Sequence, residues 1–540
     1  MSRLQLISAL ALLLAAGNTV AQEHEHSASA EKLGTVHFTT SCDAAAQEQF
    51  DRAVALLHSF QFSRAIDGFN STLKRESSCA MAYWGIALCK WSNPFAAGLK
   101  ATSQLQEGKL AAEQGLAVGA KTDREREYIT AVSKLFADFE KTPQQTRMLS
   151  YRDAMADVAA HYPQDHEASI FYALALAASE EPTDKSYASR LKAGAILEAL
   201  FAQEPDHPGL AHYIIHTYDV PPLAAQALQA AKRYSAIAPD APHALHMPSH
   251  TFTRVGYWQD SIDSNVAAAA AARREGQVSE ELHTLDYQTY AYLQTAQDQA
   301  ARRLLESLPE VVSRFNPKML VSGAAPPSAG YFALAAIPAR YALERQDWKA
   351  AAALEVRETP FPYTEAMTYF ARGLAASHLG DPAAARASRD ALSNIHERLA
   401  KSNETYWAEQ VEIQRRTVAA WTSLAEAQAD EALKEMNSAA DLEDSTEKSA
   451  VTPGPLAPSR ELLGEMLLQL NRPGQALEQF QSTLKREPNR FRALYGAARA
   501  AKLKGDPEAS RKYYRELQKV CEHADKPARK ELTEAISAPN

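Results

Sequence analysis

The sequence predicts an all-α chain, an elongated α-solenoid in which antiparallel helix pairs stack in chain order. Three observations predict it. Helix breakers are few: 21 Gly and 27 Pro in 540 residues, among abundant Ala, Leu, Glu, Gln and Arg. The chain resembles itself at a step of about 34 residues, and a fixed period of that size marks a repeat array. Short stops of the kind that join two helices recur, as Gly380-Asp381-Pro382, Arg472-Pro473-Gly474 and Gly505-Asp506-Pro507.

Composition sets the outer limits. A net charge of −9 and a pI near 6.0 argue against a nucleic-acid partner, which needs dense positive charge. At 46% hydrophobic residues the chain can bury a core. Four cysteines are too few for a disulfide scaffold.

Residues 1–21 carry Arg3, an apolar run from Leu4 to Ala16, and Thr19-Val20-Ala21 before Gln22. This is the pattern of a cleavable secretory signal peptide, and the run is too short to span a bilayer. No later stretch has 18 apolar residues in a row, so no integral membrane span is expected. The expected location is periplasmic or secreted. Residues 22–42 read as an extended lead-in, whose His24 and His26 belong to a solvated tail. Cys42 precedes a first helix (roughly 43–58) and Cys79 follows a second (roughly 62–76). An antiparallel hairpin would bring them to one end, where a disulfide would add about 4 kcal/mol in the chain-entropy model. The spacing leaves bridge or free thiols open. Phe50, Phe60, Tyr83, Trp84 and Trp91 sit at helical spacing and read as core. Breaks at Pro326-Pro327 and in the Pro/Gly stretch before 458 divide the rest into an array over 43–325, less regular helical repeats over 326–451, and a final repeat pair over 452–540. The run Asp441, Glu443, Asp444, Glu447 lacks a Ca²⁺-binding loop and reads as a solvated face.

The repeats are clearest at the ends. In the 34-residue unit 457–490, Leu463, Gly464, Leu467, Ala476, Phe480 and Pro488 occupy positions 7, 8, 11, 20, 24 and 32. The unit from Phe491 repeats the pattern with Leu494, Ala498, Ser510 and Tyr514, and the unit from Ala46 with Ala53, Leu56, Ala65 and Phe69. This resembles the tetratricopeptide repeat, whose small residues at 8 and 20 let two helices touch. The resemblance implies a right-handed superhelix with a concave inner face. The stretches FDRAVALLHSFQFSRAI, CAMAYWGIAL, HMPSHTFTRVGYW, VTPGPLAPSRELLGE and PNRFRALYGAARAA further resemble a bacterial group of exported tetratricopeptide proteins. That second likeness implies fold and location but no reaction.

Five of the 16 histidines fall within residues 212–250. His212, His216 and Asp219 form one segment, and His243, His246 and His250 a second. His283 and Asp286 stand in a third, and the spacings of three and four place each set on one helical stripe. With units starting at Pro208, Pro242 and near Leu282, these residues take positions 5, 9 and 12, then 2, 5 and 9, then 2 and 5, with Tyr290 at 9. In tetratricopeptide repeats, positions 2, 5, 9 and 12 face the groove. Imidazole with carboxylate is a ligand set for Zn²⁺, Cu²⁺ or Fe²⁺, and which of them is left open.

The expected pairing is His212/His216 with His246/His250, with Asp219 as a ligand or a backing acceptor. His283 and Asp286 would complete a second site with His243 or His250. Tyr218 or Tyr290 is the expected hydrogen-bond donor to a bound molecule. The alternative reading is a scaffold whose groove takes a protein or peptide partner, with structural histidines. Arg492, Tyr495, Arg499 and Lys502 occupy positions 2, 5, 9 and 12 of the last unit, a basic aromatic patch suited to an acidic peptide or an anionic polymer. No His-Glu-x-x-His, phosphate loop or nucleophile elbow is present, so no catalytic residue is assigned.

Overall fold

The computed structural model describes residues 31–538. The signal-like segment, His24 and His26 lie outside them. Among the described residues the regular elements are all helices, and consecutive helices pack against each other from Ala44–His58 to Lys530–Ser537. The fold is an all-α solenoid of antiparallel pairs. Small residues hold the pairs together at both ends. A Cβ added to Gly68 would lie 2.8 Å from that of Ala53. The ring of Phe480 fills the space over Gly464 and Gly496, and Phe69, at the equivalent repeat position, does the same over Gly85. The Gly-Asp-Pro stops work as one device. Gly380 and Gly505 take φ of +73° and +87°, and the next aspartate caps the following helix by accepting from Ala384 N–H or Ala509 N–H.

Several surroundings differ from the sequence expectation. Phe38, in the extended lead-in, is fully buried, with its ring 5.2 Å from Trp84 and 5.1 Å from Tyr128. Thr35 N–H donates to Asp206 O at 3.0 Å, so the segment is pinned between helices. Cys42 and Cys79 form a disulfide. The carboxylate run is solvated only in part: Asp441 stays exposed while Glu447 is buried. Glu443 accepts from Ser459 N and Oγ, Asp441 and Asp444 hold Arg460, and Glu447, only 6% exposed, accepts from Lys185 and Tyr187.

The non-helical stretches 315–326 and 446–458 turn inward. Ala325 N–H donates to Glu280 Oε2. Tyr287 Oη donates to Ala450 O and Thr452 O. Arg340 donates to Thr452 Oγ1, Gly454 O and Pro455 O. The inner face is therefore filled by the chain's own loops where an open groove was expected. The C-terminal patch is covered in part. Arg492 is buried, donates to Glu465 and Glu344 O and lies 3.6 Å from Glu531, while Tyr495 donates to Glu534 at 2.6 Å. The helix Lys530–Ser537 thus supplies the acidic segment that a partner was expected to bring. Arg499 and Lys502 stay exposed.

Candidate metal centre

Three inner helices carry the histidines. Pro208–Thr217 holds His212 and His216 one turn apart. The second runs from Pro242 to Val255 with a seam at Met247-Pro248, where Met247 keeps helical dihedrals and the proline only removes a donor. It carries His243, His246 and His250. The third, Val278–Gln294, carries His283. All six rings are buried, none more than 6% exposed.

They gather as two trios: His212, His216 and His243, and His246, His250 and His283. Within each trio one nitrogen per ring lies within 4.8 Å of the others. Each trio takes positions 5 and 9 of one helix and position 2 of the next, so the two are equivalent and 34 residues apart at two of three ligands. The expected pairing of His212/His216 with His246/His250 is corrected by this. Adjacent inner helices are staggered, which sets position 2 beside the preceding 5 and 9; His243 meets His212 at 5.0 Å and His283 meets His246 at 4.6 Å between ring centroids.

The hydrogen bonds fix which nitrogens are free. His212 Nδ1 donates to His58 O at 2.6 Å, and His243 Nδ1 to Glu280 Oε1 at 2.7 Å. Nε2 of His212, His216 and His243 is left buried and without a partner, as is Nδ1 of His283. In the second trio Asn265 gives its amide N–H to Ser261 O, so its Oδ1 faces His246 Nδ1 at 2.7 Å and requires an N–H there. His250 Nδ1 donates to Asp219 at 3.0 Å. Both Nδ1 protons are thus committed, and the two Nε2 atoms face each other at 3.1 Å with a lone pair each. Two nitrogens on one tetrahedral ion stand about 3.4 Å apart when each bond is about 2.0–2.1 Å.

Burial, aided by the neighbouring rings, holds His212, His216 and His246 well below the ordinary imidazole range. Burial would raise the Asp219 carboxyl, but Lys448 and Arg254 outweigh it and hold it well below the ordinary range.

Asp219 accepts from His250, Arg254 and Lys448 and so backs a ligand instead of being one. Asp286 joins neither trio. It is fully buried in a salt bridge with Arg340, at the repeat position where a third pair of imidazoles would otherwise continue the series. The tyrosine at the site is Tyr287, stacked on His250 at 4.7 Å; it was missed in favour of Tyr218 and Tyr290. Tyr290 lies two turns, about 10 Å, beyond His283 and donates to Glu487. Glu280 and Asn265 were also missed, although Glu280 stands only one turn before His283.

A third buried group, His58, Glu167 and His207, escaped notice because its members come from three distant segments. Here every nitrogen is matched. His58 Nε2 and His207 Nε2 donate to the two oxygens of Glu167, Tyr213 Oη donates to His58 Nδ1, and Leu210 N–H donates to His207 Nδ1.

No protein-family model and no curated protein matches the sequence. Solved structures similar in outline include the human IFIT1 dimer with m7Gppp-AAAA, at 10% identity and TM-score 0.37, covering 90% of this chain and 96% of that one. The APC/C hetero-tetramer Cut9–Hcn1 follows at 13% and 0.36, over 91% and 90%. The P58(IPK) TPR domain matches at 15% and 0.21, over 69% and 97%. At these values the likenesses say nothing of function.

Proposed function

We propose that the chain is an exported metalloprotein whose two histidine trios each hold one transition-metal ion. The observation that carries the reading is the convergence of buried nitrogens with no hydrogen-bond partner. Each unmatched buried polar atom costs about 1–3 kcal/mol. The His58–Glu167–His207 group shows how this fold matches imidazoles when hydrogen bonding is their whole task. The trios instead bring unmatched nitrogens together, and carbonyl, carboxylate and amide oxygens fix the tautomers of His212, His243, His246 and His250 from behind, as ligating histidines require. Imidazole-only sites suit copper and zinc better than the harder, oxygen-seeking ions. The signal-like segment and the Cys42–Cys79 disulfide support a periplasmic or secreted location. No helix among the described residues is long and apolar enough to cross a membrane. A peptide-binding groove is disfavoured by the loops that occupy the inner face.

The test is metal analysis of the full chain purified without a histidine tag, after exposure to zinc or copper and removal of excess. Two equivalents per chain are expected, falling to one in His216→Ala and one in His250→Ala. Wild type retaining no more metal than a double His216→Ala/His250→Ala variant would overturn the reading.

A further inference from the structure

The two trios open onto one space. His216 and His243 from the first and His250 and His283 from the second line a single small cavity. Rings of opposite trios touch, His216 on His250 and His243 on His246, each at 5.8 Å between centroids. The remaining wall is built by residues such as Ala97, Pro326, Tyr363, Trp407 and Val451, and no Asp, Glu, Lys or Arg lines it. A wider, more open depression shares Ala96, Ala97, His216 and Ala450 with this cavity, which gives a route inward from the surface.

Resting on the reading above, we infer that the paired trios form one binuclear copper centre that binds dioxygen. Two arguments select copper and oxygen. Burying charge in an apolar space is costly. The ligands are all neutral, the nearby Asp219 is already matched by Arg254 and Lys448, and Glu280, behind His243, is the one carboxylate at the trios paired only with imidazole. Two monovalent ions add half the charge of two divalent ones, and three imidazoles complete a trigonal shell for Cu(I). An uncharged wall takes up a small neutral molecule and turns away charged ones. It also offers no carboxylate or amine base to a metal-bound water, which hydrolysis at a zinc pair would call for. In the binding step each Cu(I) gives one electron. Dioxygen takes both and becomes peroxide bridging two Cu(II) ions, and no proton or further reductant is consumed.

The experiment uses wild-type chain stripped by chelation and loaded with Cu(I) without oxygen. Two coppers per chain are expected. Admitting oxygen should produce a new near-ultraviolet absorption and no electron paramagnetic resonance signal, because the two Cu(II) spins couple. His216→Ala should bind one copper and, once oxidised, show the full signal of an isolated Cu(II). Two bound coppers that ignore oxygen, or that oxidise to an uncoupled signal in wild type, would overturn the binuclear inference while leaving the metal sites in place. A chain that binds neither copper nor zinc removes both.

Discussion

Replacing Glu280 by Gln isolates the tautomer on which the first trio depends. Glu280 is 1% exposed and uses its two oxygens differently: Oε1 accepts from His243 Nδ1 at 2.7 Å and Oε2 from Ala325 N–H at 2.9 Å. Gln keeps the shape but has one acceptor. If its oxygen faces Ala325, its amide donates to His243 Nδ1 and drives the ring proton to Nε2, where it points at His212 and His216. If its oxygen faces His243, two N–H groups oppose each other at Ala325. Either way the ligating form of His243 is disfavoured. The usual effect of losing such a backing acceptor is 10–100-fold in metal affinity, or about 1.4–2.8 kcal/mol. Competition titration of apo-protein against a chromophoric chelator reads both sites in one curve. One site should weaken by that factor while the other, backed by Asn265 and Asp219, stays within about twofold. Equal affinities in Glu280→Gln and wild type would refute the claim that His243 ligates through Nε2.

The other predictions concern what holds the centre in place. Arg340→Met strands the buried Asp286 carboxylate and releases three bonds to residues 452–455, so urea unfolding should show a loss of about 3–5 kcal/mol. Adding Asp286→Leu should restore much of it, and a loss unchanged in the double variant would show that the charge is not the cause. Burial, with a smaller push from Arg492, lowers His378 to about 4, and its ring stacks on Trp348 at 3.9 Å. The unfolded imidazole, with a pKa of about 6.5, takes up its proton first, so stability is full above that value and is lost as pH falls toward 4. His378→Phe should flatten the denaturation curve across that window, and parallel curves would count against it. Cys42→Ser with Cys79→Ser should cost about 4 kcal/mol at the N-terminal end, measured by unfolding under non-reducing conditions.

Much of this was legible in the chain. Ala53, Ala65, Gly464 and Ala476 mark the helix contacts, and the Gly-Asp-Pro stops mark the turns, because both act within one hairpin. His212, His216, His246 and His250 could be placed on inner faces for the same local reason. Which ring meets which could not be read, since that depends on the stagger between neighbouring hairpins, and no residue spacing encodes it. The role of 446–458 was hidden too. A Pro/Gly stretch reads as a hinge, yet Thr452 and Gly454 are fixed by Arg340, which lies more than a hundred residues earlier.

Those inward loops decide the chemistry. A repeat array alone would leave its inner histidines in water, where each nitrogen finds a solvent partner and an ion competes with hydration. Residues 323–326 and 449–455 replace that water with backbone and apolar side chains. The same Glu280 that orients His243 also anchors Ala325, and the same Tyr287 that stacks on His250 holds Ala450 and Thr452. Walling the cavity and orienting its ligands are thus one act, done by shared residues. A change that loosens either loop should therefore weaken metal retention even when all six imidazoles remain.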